Sequence, residues 1–168
     1  MPIPHGPPHN MISDASPFNR PIGRLVRLAD HPVAAWAAWC GYAGVIFYLS
    51  SQQFGPILSG FPPNTDKLIH MIEYGGFGVL TYQALGTGGW AWRGQRTHLV
   101  VTILIGIAYG ISDEFHQSFV PTRDADVHDV MADAVGSSLG AWLWARIYWN
   151  NLRREWLEST QSAQSIDK

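Results

Sequence analysis

Apolar and polar positions along this chain fall into separate blocks, and the blocks predict four helices. Residues 33–51 (VAAWAAWCGYAGVIFYLSS) carry no charge. At about 1.5 Å of rise per residue, such a run reaches across a bilayer core of about 30 Å. It is too long for the apolar part of a cleaved signal peptide and no small-x-small cleavage site follows, so an anchor is expected. Pro and Gly in the next stretch, QQFGPILSGFPPNTD, forbid a continuous helix. A second segment is predicted over residues 67–85, with Asn64 or Thr65 as its cap and Asp66 near its positive end. It is free of charge after Glu73, and glycines at 86–89 break it. A third, over residues 98–119, stays apolar until Asp113 and Glu114 and is closed by Pro121. The fourth, over 127–148, opens polar and turns apolar after Asp133. Small residues recur four apart at Gly106 and Gly110, and at Ala132, Gly136 and Gly140. In lipid that spacing lets helices approach closely.

The pattern divides the chain into a tail (1–30), an all-α membrane domain of four spans (31–149) and a polar tail (150–168) expected to fray. The opening residues, rich in Pro, Asn and Ser, lack an apolar period and are expected to be disordered. His5 and His9 there carry no metal expectation. Composition agrees only once position is considered. Charged residues are 14% of the chain, well below the roughly 25% of soluble domains. Trp and Gly are plentiful, as membrane interfaces and close-packed spans require. The mean hydropathy of -0.02 argues for a soluble helical domain instead, as does the weak fourth run. The polar residues that lower it are crowded into the termini and a few short blocks. A net charge of -2 with no basic stripe excludes nucleic acid as an expected partner. Cys40 is the single cysteine, so no internal disulfide forms, and its apolar setting predicts inert packing.

Basic residues orient the spans. Nine of the eleven Lys and Arg lie in the N-terminal tail, the loop between the second and third segments, and the C-terminal part. Only Lys67 and Arg123 lie on the other side, so the positive-inside rule places both termini in the cytoplasm. Trp36, Trp39, Trp90, Trp92, Trp142, Trp144 and Trp149 fall mainly near predicted span ends, as an aromatic belt does.

That topology gathers three polar blocks on the outer face. Asp66, Lys67, His70, Glu73 and Tyr74 open the second segment, and Asp66, His70 and Glu73 share one helical face. Asp113, Glu114, His116 and Gln117 close the third, where Gln117 or His116 can join Asp113. Arg123, Asp124, Asp126, His128, Asp129 and Asp133 open the fourth, with Asp126, Asp129 and Asp133 again on one face. Ionisable residues near lipid are costly unless they face each other or water, which makes them functional candidates. A polar lock between helices is the competing reading. Two cations do not balance eight carboxylates, so carboxyls are protonated there or a cationic ligand enters. No tight ligand motif such as H-E-x-x-H is present, so no metal or other cofactor is expected.

The blocks DKLIHMIEYGGFGVL, SDEFHQSFVPTRDADVHDV and ADAVGSSLG, in this order and at similar spacing, resemble the VanZ-like family. These are small bacterial membrane proteins, named for a member linked to resistance to the glycopeptide teicoplanin. The resemblance covers about residues 47–145. It places family positions at Asp66, Lys67, His70, Tyr74, Asp113, Glu114, Gln117, Arg123, Asp126, Asp129 and Gly136. Asp133 departs from the Asn expected there, and Thr122 from the Gly that often precedes the Arg. The resemblance implies a multi-pass protein of the bacterial inner membrane, whose polar pocket meets a glycopeptide at the cell envelope. No nucleophile elbow such as G-x-S-x-G is present, which speaks against an enzyme. An intramembrane enzyme on a lipid-linked substrate, with Asp113, Glu114 or His116 as acid or base, stays open. So does proton- or cation-coupled transport, with His70 and His116 as carriers and Glu73 and Asp133 deep in the span. Catalytic residues and oligomeric state are not readable.

Overall fold

A computed structural model describes residues 31–53, 60–87, 94–121 and 123–166, with side chains as far as Asn150 except Trp149. Among these residues the chain is all-helical: α1 (Pro32–Ser50), α2 (Thr65–Leu85), α3 (Gln95–Gln117) and α4 (Val127–Ile166). Pro32 starts α1, where its missing N–H has no intrahelical partner to lose. Asn64 precedes α2 in the left-handed region at φ 64°, and Asp66 sits in the first turn against the positive helix end. Neither expected cap closes that end: Asn64 makes no side-chain cap bond, and Thr65 Oγ1 turns back to donate to Pro62 O at 2.7 Å. Gly94, at φ 77°, provides the turn into α3. The fourth helix runs on past residue 148, the predicted end, to Ile166. Expectations for the N-terminal tail, Trp90, Trp92, Trp149 and Thr122 fall outside the described residues or side chains.

The most extensive seam joins α2 to α4, and α3 packs against both of them. Glycines make the seam close. A Cβ added at Gly140 would collide with the Gly75 carbonyl, one at Gly136 with that of Met71, and one at Gly78 with the Ser137 backbone. Gly106 and Gly110 of α3 do something different, receiving the side chains of Ser137 and Asp133. The small residues on α3 and α4 therefore meet separate partners, and the complement of Gly136 and Gly140 is the glycine-rich α2.

An apolar core of Tyr74, Phe77 and Ile46 is buttressed by the aromatic rings of Trp39, Tyr42 and Tyr109. Phe77 stacks on Tyr109 with centroids 4.8 Å apart. Polar edges hold α1 to this core: Trp39 Nε1 donates to Thr81 Oγ1 at 2.8 Å, and Tyr109 Oη to Ala43 O at 2.7 Å. Trp39 and Tyr109 take such partners because an unpaired donor in an apolar interior is costly.

Polarity is distributed inside out. His70, Thr102, Asp113, Glu114, Gln117, Asp129, Asp133 and Ser137 are buried. Large apolar side chains face outward, including Ile72 at 65%, Met131 at 61% and Phe115 at 67% exposure. On α4 the outward stripe continues through Val135, Leu139 and Leu143. Cys40 lies on this outer surface, not in packing as its apolar setting suggested. Two helices, Pro32–Ser50 and Gln95–Gln117, are long and apolar enough to cross a membrane. The other two mix an apolar outer stripe with a polar inner one.

Candidate functional site

The three polar blocks converge at one end of the bundle, where α2, the end of α3 and the start of α4 meet. Lys67 is the hub on the α2 side. Its Nζ donates to Asp126 Oδ2 at 2.7 Å, Asp129 Oδ1 at 2.9 Å and Asp66 Oδ2 at 3.2 Å. One turn further along α2, His70 Nδ1 lies 3.0 Å from Asp133 Oδ1. The ladder follows from helical spacing: Lys67 and His70 are three apart on α2, and Asp126, Asp129 and Asp133 share a face of α4. The expected shared face of Asp66, His70 and Glu73 is also present, since all three line one recess.

That recess has a volume of about 170 Å³ and is also lined by Ser50, Gln117 and Arg123. Gln117 Nε2 donates to Asp113 Oδ2 at 3.0 Å, and Ser50 Oγ donates to Asp113 Oδ1. Arg123 Nε donates to Gln52 O at 3.3 Å, tying the loop after α3 to the end of α1. The Ser50–Gln52 contribution was not singled out from the sequence; the available signal was that an apolar run ends in SSQQ. His116 does not join Asp113. Its Nε2 lies 3.0 Å from Ser51 Oγ and its ring packs on Phe47 with centroids 4.3 Å apart.

Glu114 is oriented by backbone: the Asp126 N–H donates to its Oε2 at 2.8 Å. Among the described residues its Oε1 has no hydrogen-bond partner, and neither do Asp133 Oδ2, Tyr74 Oη, Thr102 Oγ1 and Ser137 Oγ. In native interiors such orphans are few and each calls for an explanation. His70, Glu114 and Asp133 come from three different helices, yet each offers a ligand atom within 4.8 Å of the other two. No sequence motif could reveal this trio, because its spacing exists only in the folded bundle. At the exposed mouth, the Lys67 ammonium and the N–H and ring of His128 hold the Asp126 carboxyl well below the usual carboxylate range.

The arrangement can bind a cation, exchange protons between imidazole and carboxylate, or lock three helices together. An all-helical bundle with an apolar exterior and two membrane-length apolar helices defines a class consistent with membrane proteins. A model of the VanZ/LLP1 family matches residues 20–149, and the chain belongs to this family. The match extends beyond the three polar blocks on both sides. No curated protein and no solved structure matches the chain.

Proposed function

We propose that this VanZ-type protein is a multi-pass protein of the bacterial inner membrane, with four spans and both termini in the cytoplasm. On this reading its acidic, histidine-containing pocket faces outward and alters how a glycopeptide such as teicoplanin acts at the cell envelope. The observation that carries the proposal is the recess itself: Asp66, His70 and Glu73 open toward the surface at the end of the bundle poor in cationic residues. A cavity lined this way attracts cationic and amphiphilic ligands. The outward apolar stripes of α2 and α4 favour four spans, because lipid solvates such stripes while buried polar side chains satisfy one another. At 40 residues α4 overshoots a bilayer core, so its C-terminal part extends into the cytoplasm.

Expression in a glycopeptide-sensitive host tests the function. Susceptibility should change with the wild-type chain, and His70→Gln and Asp113→Asn should abolish that change at unaltered protein level. If susceptibility across the mutant series instead tracks melting temperature on one line, the cluster is a helix lock and the pocket reading is lost. Orientation is read separately in a Cys40→Ser background. An impermeant thiol reagent should label Gly60→Cys on intact cells and Thr97→Cys only after permeabilisation. The opposite pattern moves the acidic face to the cytoplasm.

A further inference from the structure

We propose that His70, Glu114 and Asp133 bind a first-row divalent transition-metal cation of the Zn²⁺ or Mn²⁺ kind. The inference deepens the reading of the polar end as a binding pocket and rests on it. Three observations independent of the count of acidic residues point to a ligand. First, one donor atom from each residue already lies within 4.8 Å of the others. Donors bound to one metal at about 2.1 Å lie up to about 4.2 Å apart, so small side-chain rotations close the shell. Second, two of the five unpartnered buried oxygens among the described residues, and both of the carboxylate ones, belong to this trio. Asp133 is fully buried, with Oδ1 against His70 and Oδ2 without a partner; Glu114 is 5% exposed and Oε1 is without one. Third, both carboxylates are aimed. The Asp126 N–H fixes Glu114 through Oε2 alone, leaving the other oxygen to a ligand. Asp133 Oδ2 points at the α3 face that carries Gly110, one turn from Glu114, where a Cβ would stand 2.7 Å away. Outer hydrogen bonds that orient a metal's ligands have this form.

The donor set selects the cation. One imidazole with two carboxylates suits Zn²⁺, Mn²⁺ or Fe²⁺, whereas Ca²⁺ and Mg²⁺ favour all-oxygen shells. A dication also supplies positive charge where the chain has placed acid in excess. His70 lines the recess, which provides an entry path and leaves room for a further ligand on the metal.

The test uses the full chain purified in detergent, freed of any expression tag and stripped with chelator, then titrated with Zn²⁺ and separately with Mn²⁺. One equivalent should bind, with a melting temperature that rises as metal is added. Asp133→Asn, which keeps the side-chain shape, and Glu114→Gln should each weaken binding by about 100-fold or more, beyond what outer partners contribute. His5→Gln combined with His9→Gln should leave it unchanged. Absence of binding by the wild-type chain, or binding that survives both pocket variants or depends on the tail histidines, overturns the proposal. Should a variant not fold, X-ray absorption at the zinc edge reads the wild-type shell. Oxygen and nitrogen donors with one imidazole support the assignment, and a sulfur or a second imidazole overturns it. Metal binding without any glycopeptide phenotype defeats only the functional reading. A phenotype in a protein that binds no metal defeats only this inference.

Discussion

The α1 and α2 helices are both rich in glycine, yet their glycines are used in opposite ways. Nothing lies within 4 Å of a Cβ added at Gly41 or Gly44 of α1. At Gly78 of α2, and at Gly136 and Gly140 of α4, an added Cβ meets backbone of the facing helix. The lesson is that α1 is held to the bundle by side chains, through Trp39, Tyr42 and Ser50, whereas α2 and α4 touch main chain to main chain. Backbone contact has no slack, so it fixes the register of Lys67 and His70 against Asp126, Asp129 and Asp133. The site therefore depends on glycines that carry no chemistry.

Four perturbations break or sharpen this contrast. The largest effect is expected from Gly140→Val, which drives a branched side chain into the Gly75 carbonyl. Overpacking of this kind costs about 3 kcal/mol or more, because neither backbone yields. Recovery of folded protein from membranes and its melting temperature should both collapse. Next is Lys67→Met, which leaves Asp129, buried at the seam, without its cation. A loss of about 1–3 kcal/mol is expected, read as a lower melting temperature in detergent, and Lys67→Met with Asp129→Asn should recover part of it. A coupling near zero in that double-mutant cycle would show that Lys67 and Asp129 do not act on each other.

A smaller effect concerns acid. The Asp126 carboxyl titrates below its ordinary range in the folded protein, so its contribution is present above about pH 4 and lost as pH falls through its lowered value. A melting-temperature profile should decline on the acid side, and Asp126→Asn should make that decline shallower. The smallest effect belongs to Gly44→Ala. With open space around it the new methyl meets nothing, and replacing helical glycine gains about 0.5–1 kcal/mol at most. A destabilised Gly44→Ala would mean that α1 contacts something on its outer face.

Much of this was legible in the linear chain. The blocks of charge-free residues predicted the start of every helix and the end of the first three to within a few positions, because an apolar run bounded by Pro, Gly and charge has few other ways to fold. The fourth helix runs on into the polar stretch expected to fray. Period alone also grouped Asp66 with His70 and Glu73, and Asp126 with Asp129 and Asp133. The resemblance carried by the three polar blocks reached the family. Other features were not available to periodicity. Gly106 and Gly136 have the same local signature, but one receives the Ser137 side chain and the other the Met71 carbonyl. His116 could have turned to Asp113; Ser51 and Phe47, some 65 positions upstream, take it instead.

The sequence by itself determined where helices begin, where the first three end, which face of each is polar, and which end of the bundle collects the acid. These depend on neighbours within one or two turns, and short-range spacing encodes them. Only the tertiary structure decided that Lys67 bridges to α4, that His70 meets Asp133, and that Glu114 joins them from α3. Those pairings depend on how closely and in what register the helices cross, and that is set by glycine contacts between segments far apart in the chain.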